Sequence, residues 1–306
     1  MAFKEVKSLA FINLELFAKQ VVEGFITGMH KSPFHGFSVE FAEHRSYNSG
    51  ESTKHIDWKL YAKTEKLYVK RYEEETNLRC HIVIDNSASM HYPKLLIPSL
   101  EDLNKISFAA VGTAAIMELL KRQRDAVGLS IYSDAYDFYA GAKGSERHHR
   151  MILNRLVNML IDGSKKQTKT YVCLNEIAEK IHRRSLIILF SDMLQADKPN
   201  AELFEALKYL KFNKHDVIVF HTYDAKTELN FNFDNTPKKF VDVETGEYIN
   251  LFADNIKEQY KKEISNYFNE LRLKCLQYKI DYVPVDINQG FSQILQTYLI
   301  SRKQRS

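Results

Sequence analysis

The sequence predicts an α/β protein built on a doubly wound, mostly parallel sheet, with a small N-terminal β-rich lobe and an inserted hairpin. Three observations predict it. Short apolar runs recur at Ile82–Ile84, within 185–193 and within 216–224, and such runs suit strands buried on both faces. Apolar residues at helical spacing fill the stretches between them, so strand and helix alternate from about residue 79 to 302. Each run also stops at an aspartate (Asp85, Asp192, Asp224), and the carboxyl ends of strands are where open α/β sheets bind ligands.

From the N-terminus, Leu9, Ile12, Leu16, Phe17 and Val21 predict an amphipathic helix over 3–24. Gly24 to Gly36, broken by Pro33, is a loop. Residues 37–77 alternate the β-like pieces FSVEFAEHRSY and KLYVKRYE around Asn48-Ser49-Gly50-Glu51, a strong turn sequence. Helix and β-rich lobe together make an expected N-terminal unit, 1–77, and the remainder, 78–306, one α/β domain. The central strand enters at Leu78. In the helix expected over Leu103–Gln123, the small residues Ala109, Ala110, Thr113 and Ala114 allow close packing on a sheet. Residues 126–133 and 135–141 read as two strands about Asp134, which makes the Asp134–Asp137 pair part of a hairpin. Helices over Arg147–Ile161 and Val172–His182 precede the strand at 185–193, and Ala201–Phe212 precedes that at 216–224. Glu244-Thr245-Gly246-Glu247 centres a hairpin inserted at about 227–252. A long helix over 253–277, a strand over 280–287 and a helix over Phe291–Arg302 close the chain.

Composition narrows the function classes. Hydrophobic residues are 44% and charged residues 27% of 306, with mean hydropathy −0.37, values ordinary for a globular protein. No apolar run approaches the roughly 20 residues of a membrane-spanning helix, and the N-terminus lacks a cleavable leader pattern. Cys80, Cys173 and Cys275 are far apart and show no metal spacing, so reduced, buried thiols in a cytoplasmic protein are expected. The net charge of +4 is mild, and the basic clusters at Arg147–Arg150, Lys165–Lys166 and His182–Arg184 read as solvated helix ends, not a nucleic-acid footprint. Neither G-x-G-x-x-G nor G-x-x-x-x-G-K occurs, which argues against nucleotide binding; the absence of G-x-S-x-G argues against a serine hydrolase.

The candidate site is Asp85-x-Ser87-x-Ser89, at the expected end of the central strand. Hard oxygen ligands without Cys or His suit Mg²⁺ or Mn²⁺ over zinc. Ser and Asp are also ordinary turn residues. Carboxylates from several strand ends, here Asp85, Asp192 and Asp224, would converge on one sheet edge and need a cation. Thr168 and Thr170 stand in a polar loop before a helix, where a helix cap is the commoner role for either. His55, Asp57 and Trp58, the lone tryptophan, read as a structural clasp in which Trp58 packs the lobe on the sheet.

Beyond the site, Arg45-x-Tyr47-x-x-Gly50-Glu51, His55-Ile56-Asp57-Trp58, Ala62-Lys63 and Val69-Lys70-x-Tyr72-Glu73-Glu74 resemble the signature of the DUF58 family. So do Arg124-Asp125-x-Val127-Gly128-Leu129, Ser191-Asp192, His215-Asp216-Val217, Asp242-x-Glu244-Thr245-Gly246 and Cys275. Departures are Ser49-Gly50-Glu51 in place of Pro-Gly-Asp, and Lys54 in place of Arg; both keep the turn and the charges. The site itself resembles the metal-ion-dependent adhesion site of von Willebrand factor type A domains. That resemblance implies Mg²⁺ held directly by the hydroxyls of Ser87, Ser89 and Thr168 (Thr170 as second choice), with Asp85 and Asp192 acting mainly through bound waters. It further implies a non-enzymatic module that accepts a partner's acidic residue, working as an adaptor with a MoxR-type AAA+ ATPase. The alternative is a metal-dependent hydrolase or phosphatase using Asp85 as nucleophile, which lacks the second acidic residue at the usual spacing: Asn86 and Ala88 stand there.

Overall fold

Ile82, Val83 and Ile84 lie fully buried in the middle of a six-stranded sheet, where β-branched side chains fill both faces. The structure, a computed structural model, describes residues 14–27, 44–46, 58–70, 78–95, 102–133, 136–162, 170–194, 201–243 and 245–303. In chain order these form α1 (14–27), β1 (His44–Ser46), α2 (Trp58–Thr64), β2 (Tyr68–Lys70) and β3 (Arg79–Asp85). Then follow α3 (Lys105–Arg122), β4 (Ala126–Tyr132), β5 (Tyr136–Lys143), α4 (Glu146–Asp162), α5 (Thr170–Lys180) and β6 (Leu186–Ser191). The rest are α6 (Ala201–Phe212), β7 (Asp216–Tyr223), β8 (Pro237–Val241), β9 (Tyr248–Phe252), α7 (Lys257–Gln277), β10 (Asp281–Asp286) and α8 (Ser292–Lys303).

The sheet order is β10-β7-β6-β3-β4-β5, and only β5 runs antiparallel, against β4. Ile82 stands opposite Leu129 of β4 and Ile188 of β6. The chain leaves β3 for β4 on one side and returns to β6 on the other. The strand order therefore reverses between the carboxyl ends of β3 and β6, and a crevice opens there. One core covers the face under α1, α3, α4 and α8, with Val22, Ile116, Leu156 and Leu295 buried. A second covers the face under α5, α6 and α7, with Ile177, Leu207 and Leu271 buried. Gly128 is required locally, because a Cβ there would sit 2.8 Å from the Ala140 carbonyl oxygen and closer still to the His81 ring.

The α/β expectation is met in its coarse form, with two adjustments of detail. α1 buries Leu14, Ala18, Val22 and Phe25, while Leu16 is exposed. The core-facing stripe is thus rotated from the Leu9–Ile12–Leu16 face expected, and Leu9 and Ile12 lie outside the described residues. The clasp reading of Trp58 is overturned: α2 carries it 59% exposed, with its ring edge-on to Tyr61 at 6.1 Å. His55 and Asp57 lie outside the described residues. β1 and β2 pair antiparallel, as do β8 and β9 around Gly246, whose φ of +78° suits glycine.

Candidate metal centre

β3 delivers Asp85 to the crevice, fully buried, with both carboxylate oxygens engaged. Oδ1 accepts the Ser87 N–H at 3.0 Å, and Oδ2 accepts the hydroxyl of Ser191, the last residue of β6, at 2.8 Å. The chain then bends: the Asn86 N–H donates to the Tyr132 carbonyl at the end of β4, and a 3-10 turn, Ser89–His91, folds back. This bend brings the buried Ser87 and Ser89 hydroxyls within 3.0 Å of each other.

Asp192, one residue beyond β6, faces them. Its Oδ1 accepts the Leu194 N–H at 3.2 Å, its Oδ2 accepts the Lys105 ammonium at 2.8 Å, and the Ser89 hydroxyl also hydrogen-bonds to it. Lys105 is the first residue of α3, capped by Asn104, whose Oδ1 accepts the Ser107 N–H at 2.9 Å. A side chain leans toward its helix N-terminus, which aims this ammonium into the crevice. It donates as well to Glu228 Oε1 at 2.5 Å, on a π-helical turn, Ala225–Leu229, that follows β7. A cation is disfavoured at a helix N-terminus, so Lys105 depends on the two carboxylates that hold it.

The charges do not balance. Two carboxylates, Asp192 and Glu228, share one ammonium, and a third, Asp85, stands beside Asp192 without one. Burial opposes the charge on Lys105, but Asp192 and Glu228 outweigh it and raise its pKa. Burial pushes Asp192 up, and Lys105 more than reverses this, leaving it below the usual range. Glu228 is raised by burial in spite of Lys105. Asp85 has no cation: burial, and then the Asp192 charge, lift it to about 7 against hydrogen bonds from Ser191 and Ser87.

Four of the predicted site residues thus meet in one crevice: Asp85, Ser87, Ser89 and Asp192. Thr168 lies outside the described residues, and Thr170 opens α5. Asp224 does not converge with them. It caps the π-helical turn, accepting the Lys226 N–H at 3.1 Å and the Thr227 hydroxyl at 2.7 Å. Lys105 and Glu228 were not anticipated, and Ser191 was singled out only within the Ser191-Asp192 family motif, not as a site residue; the one signal for Lys105 was a lysine at the start of a helix whose next twelve residues carry no charge. Ser89 and Glu228 also line a groove of about 500 Å³, walled by Tyr92, Phe231, Phe240 and Tyr260. Phe231 and Phe240 stack at 5.5 Å, and Tyr260 donates its hydroxyl to the Glu228 carbonyl at 2.8 Å.

Among the described residues, no three His, Cys, Asp or Glu side chains converge as metal ligands. The donors here are of another kind, two neutral hydroxyls backed by carboxylates. A buried hydroxyl pair beside an uncompensated Asp85 fits a hard divalent cation, which prefers oxygen and keeps its waters. Such an ion would supply positive charge, leaving Asp85 ionised and the hydroxyls as acceptors.

The fold and site together define a mostly parallel α/β protein with a hydroxyl–carboxylate centre at its strand-order switch. The model for DUF58, described as a protein of unknown function, matches residues 43–268, and the chain belongs to this family. An uncharacterized protein of Mycobacterium bovis is 24% identical over 185 residues, 60% of this chain. A counterpart in Mycobacterium tuberculosis matches to the same extent, and the chain spans only 56% of either relative's length. Among solved structures, the conserved hypothetical protein BatB of Bacteroides thetaiotaomicron is 18% identical with a TM-score of 0.42, covering 75% of this chain and 100% of that one. A mutant of the PilB minor pilin of Streptococcus sanguinis is 9% identical with a TM-score of 0.38, covering 78% and 65%.

Proposed function

We propose that this chain is a non-enzymatic, Mg²⁺-dependent protein-interaction module with a von Willebrand factor type A-like domain. The observation that carries the reading is the Ser87–Ser89 hydroxyl pair, 3.0 Å apart and buried beside Asp85. Ser87, Ser89 and, from its loop, Thr168 hold Mg²⁺ or Mn²⁺, with Asp85 and Asp192 behind them. Neutral ligands leave the ion short of negative charge, and an acidic side chain of a partner completes it. The apolar groove that begins at Ser89 gives that partner's chain a surface beside the ion. Both Asp85 oxygens are occupied by donors, an arrangement that suits a fixed carboxylate better than an attacking nucleophile. The partner is a MoxR-type AAA+ ATPase or its client, in the cytoplasm; among the described residues no helix is long and apolar enough to cross a membrane.

Affinity purification tests this with the wild type and a Ser87→Ala/Ser89→Ala variant, each with Mg²⁺ and with chelator. A AAA+ ATPase retained only by the wild type with Mg²⁺ is the expected result. Equal retention in all four arms, or turnover of a phosphoester or ester that is lost in the variant, overturns the reading.

A further inference from the structure

We infer that Lys105 is a built-in counter-cation that keeps the site weak for a divalent cation until an anionic ligand arrives with it. This rests on the cation-site reading above. The ammonium is held by Asp192 Oδ2 at 2.8 Å and Glu228 Oε1 at 2.5 Å, and the side chain is 1% exposed. The Ser89 hydroxyl bonds to the same Asp192 carboxylate, and the Ser87 hydroxyl lies 3.0 Å beyond it. Only one carboxylate therefore separates Lys105 from the hydroxyl pair that would take the ion.

Two consequences follow from that placement. A positive charge fixed so near repels a divalent cation, and burial leaves the repulsion poorly screened. Lys105 also draws on the Asp192 charge that would otherwise answer the ion. An external carboxylate meets both cations at once, so its gain is larger when the ion is present. By linkage the ion gains the same factor from the carboxylate. The outcome is a site that responds to ion and acidic ligand together and to neither alone.

Calorimetric titration of the full chain with Mn²⁺ tests this, in chloride and with excess acetate as the probe carboxylate, at matched free Mn²⁺. Wild type is expected to bind Mn²⁺ weakly in chloride and about tenfold or more tighter in acetate. Lys105→Met should tighten binding in chloride by about tenfold and shrink the acetate effect. Glu228→Gln, which removes a negative charge and keeps Lys105, should weaken binding in both buffers. A lysine with only a structural role would not move affinity in opposite directions in these two variants. Ser87→Ala separates the two readings, since it should bind no Mn²⁺ anywhere. If Ser87→Ala binds none but Lys105→Met binds no tighter than wild type, the role of Lys105 is overturned and the cation site stands. If Ser87→Ala binds as wild type does, or no protein binds Mn²⁺, both fall. Should Lys105→Met not fold, Glu228→Gln decides, and unchanged affinity there overturns the inference.

Discussion

Two acidic corners lie on the carboxyl edge of the sheet, and they are built on opposite terms. At the ends of β7 and β10, Asp224 and Asp286 meet donors. Asn288 Nδ2 bridges them at 2.9 Å to each, the Lys226 N–H and Thr227 hydroxyl complete Asp224, and the N–H groups of Ala225 and Asn288 reach Asp286. Neutral donors satisfy the carboxylate oxygens, and the corner closes on itself. At the ends of β3 and β6, Asp85 and Asp192 face one another's charge instead. Hydroxyls that can accept as well as donate stand between them, and one ammonium is shared out to Glu228. An aspartate at a strand end is therefore not in itself a binding group. What surrounds it decides whether charge is left for a ligand.

The largest effect that could break this contrast is Asp192→Ala. It removes one of two partners from a buried ammonium, and roughly 3–5 kcal/mol of stability should go with it. Urea unfolding of the metal-free chain measures this; a loss under about 1 kcal/mol would mean that Lys105 is solvated, not locked.

Next comes pH. The carboxyl of Asp85 rises from its ordinary 3.8 to about 7 on folding, so the folded chain holds this proton more tightly than the unfolded chain. The metal-free contribution is complete below about pH 4 and is lost as pH rises through about 7. A decline on the order of a few kcal/mol is expected, read as a falling Tm between pH 5 and 8. Asp85→Asn should flatten the decline, and so should Mg²⁺, which favours the ionised form. A wild-type Tm that climbs across this range, without metal, would contradict the charge imbalance.

Smaller again is Asp224→Ala. It takes an acceptor from the Thr227 hydroxyl and the Lys226 N–H and leaves the Asn288 amide with Asp286 alone, for about 1–3 kcal/mol, softened where water reaches them. Mn²⁺ affinity should not change. If it vanished, the two corners would be one site and the contrast would collapse.

Much of the scaffold was legible in the chain, because strands buried on both faces must be apolar throughout. β3, β6 and β7 sit where their runs predicted, and α6 has the expected bounds, Ala201–Phe212. Asp85, Ser87, Ser89 and Asp192 were legible for a related reason: neighbouring parallel strands end at the same edge, so local motifs at their ends meet. Lys105 and Glu228 were not. The lysine's partners lie 87 and 123 residues further along, and no spacing rule connects them. Only a misfit hinted at it, a cation where the helix dipole disfavours one.

Trp58 misled for the converse reason, and it supplies the smallest expected effect. A lone large aromatic suggests a buried anchor, yet tryptophan is seldom wholly buried, and burial depends on which helix face meets the core. Here α2 turns it outward, 59% exposed, beside Tyr61. The cost of Trp58→Ala should therefore be within about 0.5 kcal/mol, as for most surface positions, not the several kcal/mol of an emptied core site. This makes the variant a control for both acidic corners: its Tm, its pH profile and its Mn²⁺ affinity should all overlay the wild type. A loss above about 2 kcal/mol would place the ring in a packed interface and restore the anchor role. Unchanged stability with loss of a protein that the wild type retains would instead put Trp58 on the partner-facing surface.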